Sequence, residues 1–310
     1  MATRASGAVA TPLPSYGGQA VLEGVMMRGA RTCAVAVRGP HQEIVLDEQS
    51  LPAAYRGSLG RLPFLRGLLS LWDSLGLGMR ALAFSANVQA GEETPIQPAQ
   101  MAATMVVSLA FGIGLFFVLP AAAAAGAERY LGLATGWAHL IEGVIRLAIL
   151  LGYLWAVGQL AEIRRVFAYH GAEHKTINAY EAGVPLDVEN IARQPRQHAR
   201  CGTSFLLTLV VLSVLLFSLL PPMSFWLRMA SRVVALPLLA MLSYEYIRLA
   251  ARWSTKPWMR PIIAPNLALQ SLTTREPDAS MIEVALAAFT AMHSRESEPE
   301  ARAPAAPAPA

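Results

Sequence analysis

Residues 101–126 read MAATMVVSLAFGIGLFFVLPAAAAAG, 26 positions without one charged side chain. At about 1.5 Å of rise per residue, a helix of that length exceeds a hydrocarbon core of about 30 Å. The stretch therefore predicts a transmembrane helix, and with it a polytopic rather than a soluble fold. Working outward, 203–227 is a second run free of Asp, Glu, Lys and Arg, ending near the breaker pair Pro221-Pro222. Between them, 138–160 is apolar apart from Glu142 and Arg146. Those two share a helix face at i, i+4 and neutralise one another, as a structural intramembrane pair or as part of a proton path. The run 233–247 is short and contains Pro237. Its flanking Arg232 and Arg248, with Trp226 and Trp253 nearby, let it cross by snorkelling. The expectation is a mainly α, polytopic membrane protein with four transmembrane helices.

Composition agrees. Hydrophobic residues make up 54% of the 310 and charged ones 15%, against roughly 25% charged in a soluble globular protein. Such a chain is neither disordered nor an ordinary soluble domain. A net charge of +4, dispersed along the chain, gives no footprint for nucleic acid. Two cysteines cannot make a disulfide scaffold. No cleavable signal peptide is expected, because the first twenty residues have no apolar core.

Four crossings put both termini on one side, and the distribution of Lys and Arg chooses it. Of the 25 basic residues, 21 fall before the first span, between the second and third, or after the fourth. Arg129, Arg228 and Arg232 fall on the other side, and Arg146 lies inside a span. The expected location is the cytoplasmic (inner) membrane, with the N- and C-termini cytoplasmic.

The expected division is 1–98 as a cytoplasmic N-terminal region, 99–160 as the first two spans, 161–202 as a cytoplasmic loop, 203–250 as spans three and four, 251–294 as a cytoplasmic C-terminal region, and 295–310 as a disordered Pro/Ala-rich tail. Within the first region, 33–37 and 43–46 read as short β-strands around the turn Gly39-Pro40. Leu65, Leu68, Trp72, Leu75, Met79 and Leu82 recur at helical spacing, with Arg66, Asp73 and Arg80 off the stripe. That amphipathic helix suits the membrane surface or a packing partner equally well. Residues 92–98 read as a polar linker. Met281, Ile282, Ala285, Leu286 and Phe289 form a second amphipathic run, which Asp278 can cap.

The chemistry-bearing pattern follows the second span. His170, Glu173 and His174 spell H-x-x-E-H, and on a helix these positions share a face. Two imidazoles so placed can bind one divalent ion, zinc above all, with Glu173 as the catalytic base that activates water. The bland alternative is a polar network joining helices at the membrane border. A catalytic zinc wants a third protein ligand, and the candidates are His198, Cys201 and Glu245. Glu245 needs a partner so near a bilayer, whether a metal or an arginine such as Arg248 or Arg200.

Five blocks carry a resemblance: YGGQAVLEGVMMRG at 16–29, YHGAEHK at 169–175, RCGTS at 200–204, SYE at 243–245 and TTREPD at 273–278. Together, in this order, the chain resembles the YqhQ family of bacterial membrane proteins over about residues 15–292. One departure is Ala199 between His198 and Arg200, where the family pattern has proline. The resemblance implies a membrane location and a fold more than an activity, the family's metal-dependent description being itself an inference from H-x-x-E-H. It also draws attention to the glycines at 17, 18, 24 and 29, which permit close backbone approach and can let this segment close a site against the middle loop.

The leading expectation is a metal-dependent hydrolase at the membrane surface, with His170 and His174 as ligands and Glu173 as base. Its substrate would be a lipid headgroup or a membrane-proximal peptide. The alternative is a non-enzymatic assembly or quality-control factor that binds other membrane proteins. The bilayer is the expected partner, and nucleic acid is not expected.

Overall fold

A computed structural model of the chain describes residues 16–51, 62–91, 98–254 and 256–298. Most of the expected linker at 92–98, the first fifteen residues and 299–310 lie outside the described residues.

The N-terminal region is an antiparallel sheet in chain order: β1 (Gly17–Val21), β2 (Gly24–Arg28), β3 (Thr32–Arg38) and β4 (Ile44–Ser50). The two expected strands are β3 and β4, turning through Gly39 to Gln42. The glycine-rich block, which carries no alternation a sequence reader would trust, forms β1 and β2. Pairing of Val21 with Gly24 and of Gly17 with Arg28 closes that hairpin. Gly24 is obligatory there, because a Cβ would stand 2.3 Å from Ala36 O.

The central strands β2 and β3 are buried on both faces, and the residues of the sheet sort by a period of two. Val25, Met27, Ala34 and Ala36 face one layer, with Ala172, Ile282 and Phe289. Val21, Met26, Cys33, Val35 and Val37 face the other, with Leu77 and Ala81. The first layer is α5 (Ala161–Glu181), the short α6 (Val188–Ala192) and α11 (Ala279–Ser297); the second is α1 (Leu65–Ala90). Asp278 caps α11, accepting from Met281 N at 2.9 Å, and the helix runs through residues 295–297, which sequence assigns to the tail.

α1 turns its apolar stripe away from the sheet, so of the two expected alternatives it is not a core face against the sheet. Its buried residues are Gly67, Asp73, Leu77, Gly78, Ala81 and Ser85. Leu65, Leu68, Trp72 and Leu75 point outward, with Trp72 70% exposed. Buried Asp73 pairs with Arg28 of β2, which compensates a carboxylate turned toward the sheet.

The remaining helices form an apolar bundle. Two of them are long and apolar enough to cross a membrane, Ala99–Leu131 and Gly136–Val157. The first comprises α2 (Pro98–Ile113), a π turn (Gly114–Val118) and α3 (Leu119–Leu131); the second lies within α4 (Thr135–Val157). The pair α8 (Phe225–Val234) and α9 (Leu236–Trp253) makes a third only if its 42° bend is one broken span. The expected third span is shorter than its charge-free run: α7 (Thr203–Ser218) stops ahead of Pro221-Pro222, which cannot continue a helix. The expected fourth is bent at Ala235, just ahead of Pro237. Among the described residues, spans clear by length and composition thus number two or three, and a fourth is not clear.

Glu142 and Arg146 pair as expected, at 2.6 Å. Sequence reading misses the third member: Arg232 donates to both Glu142 oxygens, at 2.9 and 2.6 Å. Arg146 also donates to Ser213 Oγ at 2.8 Å and to Phe116 O, within the π turn, at 2.8 Å. Finally α10 (Arg260–Thr273) runs along α7 and ends beside α5.

Candidate metal centre

α5 carries the H-x-x-E-H residues on one buried face, and three other segments close around it. The segment after α10, residues 274–277, straps across the helix: Arg275 N donates to Phe167 O at 2.8 Å. Gly171 makes this crossing possible, since a Cβ there would stand 2.1 Å from Arg275 O. The loop after α6 wraps the next turn, with Asn178 Nδ2 donating to Pro195 O at 2.7 Å and Lys175 Nζ to Ala192 O at 2.7 Å. The third segment is β1.

His170, His174 and Cys201 converge, with one ligand atom from each lying within 4.8 Å of the others. They form a group able to hold a metal ion. His170 Nε2 is 3.3 Å from Cys201 Sγ, and the two imidazole rings lie 4.3 Å apart, centroid to centroid. Their tautomers follow from hydrogen bonding. His170 Nδ1 faces Thr273 O at 2.9 Å, and His174 Nδ1 faces Arg196 O at 2.6 Å. A carbonyl only accepts, so each Nδ1 carries the proton and each Nε2 keeps its lone pair for a ligand. Backbone carbonyls in this outer role orient metal-binding histidines generally. Two imidazole nitrogens and a thiol sulfur are also a donor set suited to zinc.

Glu173 lies beside the group, its Oε2 3.9 Å from His170 Nε2. It is buried, and burial pushes its carboxyl up from the ordinary range against the lowering pull of His170, His198 and the Gly18 N–H. Gly18 fits against it so closely that a Cβ would stand 2.8 Å from Glu173 Cγ. β1 is thereby the lid on this side of the site. Burial holds His174 and His198 below the usual imidazole value, which keeps them neutral, the form in which imidazole binds metals.

The other two candidate ligands, His198 and Glu245, line the same cavity as His170 and Cys201 but are not part of this three-residue group. His198 is a neighbour, its ring 5.8 Å from that of His174 and its Nε2 3.4 Å from Glu181 Oε2. Its backbone is fixed by Gln270, which accepts from His198 N and donates to His198 O, both at 2.9 Å. Glu245 binds Arg66, accepting from Nε at 2.7 Å and also pairing with Nη2, and accepts from Phe64 N at 3.1 Å. The arginine that satisfies it comes from α1, not from the nearby Arg248 or Arg200. Sequence reading misses Gln270, Arg66 and the two orienting carbonyls. Only the TTREPD block, notable as a block, hints at Thr273.

A family model described as a protein of unknown function (DUF1385) matches residues 62–295. An uncharacterized protein, YqhQ of Bacillus subtilis (strain 168), is 33% identical over 293 residues, covering 89% of this chain and 91% of that relative. No solved structure matches the chain.

Proposed function

The chain belongs to the DUF1385 family, together with YqhQ, and from that premise we propose that it is a four-span inner-membrane hydrolase with a zinc site on the cytoplasmic face. The observation that carries the chemical reading is the matched pair of Nδ1–carbonyl bonds, at 2.9 and 2.6 Å, which leaves two Nε2 lone pairs for one ion beside a thiol.

The count of four rests on parity. The sheet, α5 and α11 share one core, so they lie on one side of any bilayer. An even number of crossings must then separate the sheet from α5, and α5 from α11. α2 to α3 and α4 supply the first pair. α7 packs along α4 and α9, and with the broken helix α8–α9 it supplies the second. The excess of Lys and Arg on the side of the sheet, α5 and α11 makes that side cytoplasmic.

In this site His170 and His174 hold the ion with Cys201, and their Nδ1 protons stay on Thr273 O and Arg196 O. A divalent ion bound there supplies Lewis-acid activation of water and of a polarised ester or amide bond. Glu173 takes the proton from water at its Oε2 and returns it to the leaving group, a role helped by a carboxyl pushed toward neutrality. Gly18 and β1 keep bulk water from that carboxyl. Cobalt substitution tests the ligand set: the Co(II) protein is expected to show a thiolate-to-cobalt absorption band that Cys201→Ser abolishes. A band unchanged in Cys201→Ser contradicts the assignment.

A further inference from the structure

The cavity that reaches the metal centre is far larger than the centre requires. It encloses about 1290 Å³ and runs from Glu173, His170 and Cys201 out to the first turns of α1 and the end of α9. Its outer wall is apolar, with Leu71, Phe205 and Ile247. Four arginines reach it: Arg66, Arg200, Arg248 and Arg252. Glu245 neutralises Arg66, and Glu181 neutralises Arg200. Arg248 and Arg252 are one turn apart on α9, both are exposed, and neither forms an ion pair among the described residues. The mouth therefore carries two arginines without a close ion-pair partner among the described residues, Glu245 being bound to Arg66 and acting on Arg248 only at longer range.

The surroundings give its depth in the membrane. Ser70 and Leu71 of α1 line the cavity, and the same helix turns Leu65, Leu68, Trp72 and Leu75 outward. A helix with that face lies in the interface with its apolar side among acyl chains. Trp258, 55% exposed, packs at a tilt against Trp253 beyond the same end of α9, at 5.5 Å between centroids, and tryptophan favours the headgroup level. With those two markers at the interface, Arg248 and Arg252 fall at the level of lipid phosphates.

We propose that the cavity admits the phosphate-bearing headgroup of an anionic membrane lipid, with Arg248 and Arg252 as the phosphate clamp and the metal centre at its inner end. This identifies the substrate class of the hydrolase proposed above and rests on that reading for its chemistry, though not for its binding. A soluble phosphate ester shares the anion but would leave the apolar wall and most of the volume unused.

The test is native mass spectrometry of the full-length protein in detergent, titrated with phosphatidylglycerol or phosphatidylcholine, with metal content measured on the same samples. Phosphatidylglycerol is expected to be retained roughly tenfold better, two arginines at a lipid surface being worth that much or more. Arg248→Gln with Arg252→Gln is expected to abolish the preference, and the Lys/Lys variant to keep it. Equal retention of both lipids, or a preference that survives the double Gln variant, overturns the proposal. Competition by sn-glycerol 3-phosphate at concentrations equal to the lipid overturns it in favour of a soluble ester. A lipid preference in protein that holds no metal sustains this inference while removing the hydrolase reading.

Discussion

Gly18 and Glu173 are in direct apposition: the backbone of β1 covers the buried carboxyl so closely that a Cβ on Gly18 would meet Glu173 Cγ at 2.8 Å and Met26 O at 2.7 Å. The strand is pinned between its partner β2 and the helix bearing Glu173, so neither neighbour can yield without disturbing the site. Gly18→Val is expected to cost about 1–3 kcal/mol, the usual range for overpacking, read as a lowered thermal midpoint in detergent. Gly17→Val, which meets nothing within 4 Å, is the control and is expected to be near neutral. Equal effects of the two would contradict this account of the lid.

The buried ion network in the bundle gives a larger expected effect. Glu142 holds Arg146 and Arg232 together, and all three are at most 1% exposed. Removing the shared carboxylate strands two buried cations, and breaking one buried pair already costs about 3–5 kcal/mol. Glu142→Ala is expected to prevent recovery of folded protein, and Glu142→Gln to lower its thermal midpoint sharply. Restoration by Glu142→Asp would show that charge, not volume, is the issue. A Glu142→Gln protein as stable as wild type would contradict the structural role.

Stability should respond to pH from both sides. For His174 and His198 the folded-state pKa is depressed by burial, so the unfolded chain binds protons first and stability is lost as pH falls below the ordinary imidazole value of about 6.5. For Glu173 the folded-state pKa is raised, so its contribution has the opposite sign: present at low pH, it fades as pH rises through the raised value. In metal-free protein, thermal midpoints should therefore fall away at the acid end through the two histidines, and Glu173→Gln should relieve only the loss that sets in as pH rises above the ordinary carboxylate range. An acid limb abolished by Glu173→Gln would show that the assignment of the limbs is wrong.

Reporter fusions test the parity argument. Fusions after Leu51, after Gly183 and after Ala310 are expected on the cytoplasmic side, and insertions at Gly132 and at Pro222 on the other. A cytoplasmic reporter at Pro222 would mean that α7 and α8–α9 do not cross, leaving two spans in the chain.

What the amino-acid pattern discloses about this fold depends on how local the signal is. The first two apolar helices are legible because a run without charge needs no tertiary partner to be read, and Asp278 is legible as a cap because its acceptor role is satisfied three residues away. β1 and β2 are not, since their glycines are chosen for close contact with Ala36 and Glu173 rather than for strand propensity. α1 is legible as an amphipathic helix but not in which face packs: the sheet takes the glycine-lined side, where Gln19 approaches Gly78, and Tyr244 of α9 approaches Gly67. At the site, the spacing of His170, Glu173 and His174 brings the right residues to one helix face, and Cys201 joins them as one of three candidates. Glu245 looks equally eligible by sequence, and its binding to Arg66 from a helix some 180 positions earlier has no local trace. The carbonyls of Thr273 and Arg196 have no side-chain signature at all.

The central claim is that His170, His174 and Cys201 bind a metal, and bound metal is what should be measured. Full-length protein purified in detergent without added chelator should carry about one equivalent of zinc by elemental mass spectrometry, lost in His170→Ala with His174→Ala and kept in Glu173→Gln. A wild-type protein that retains its fold and its cooperative melting transition yet binds no divalent metal, even after incubation with zinc, would contradict the account.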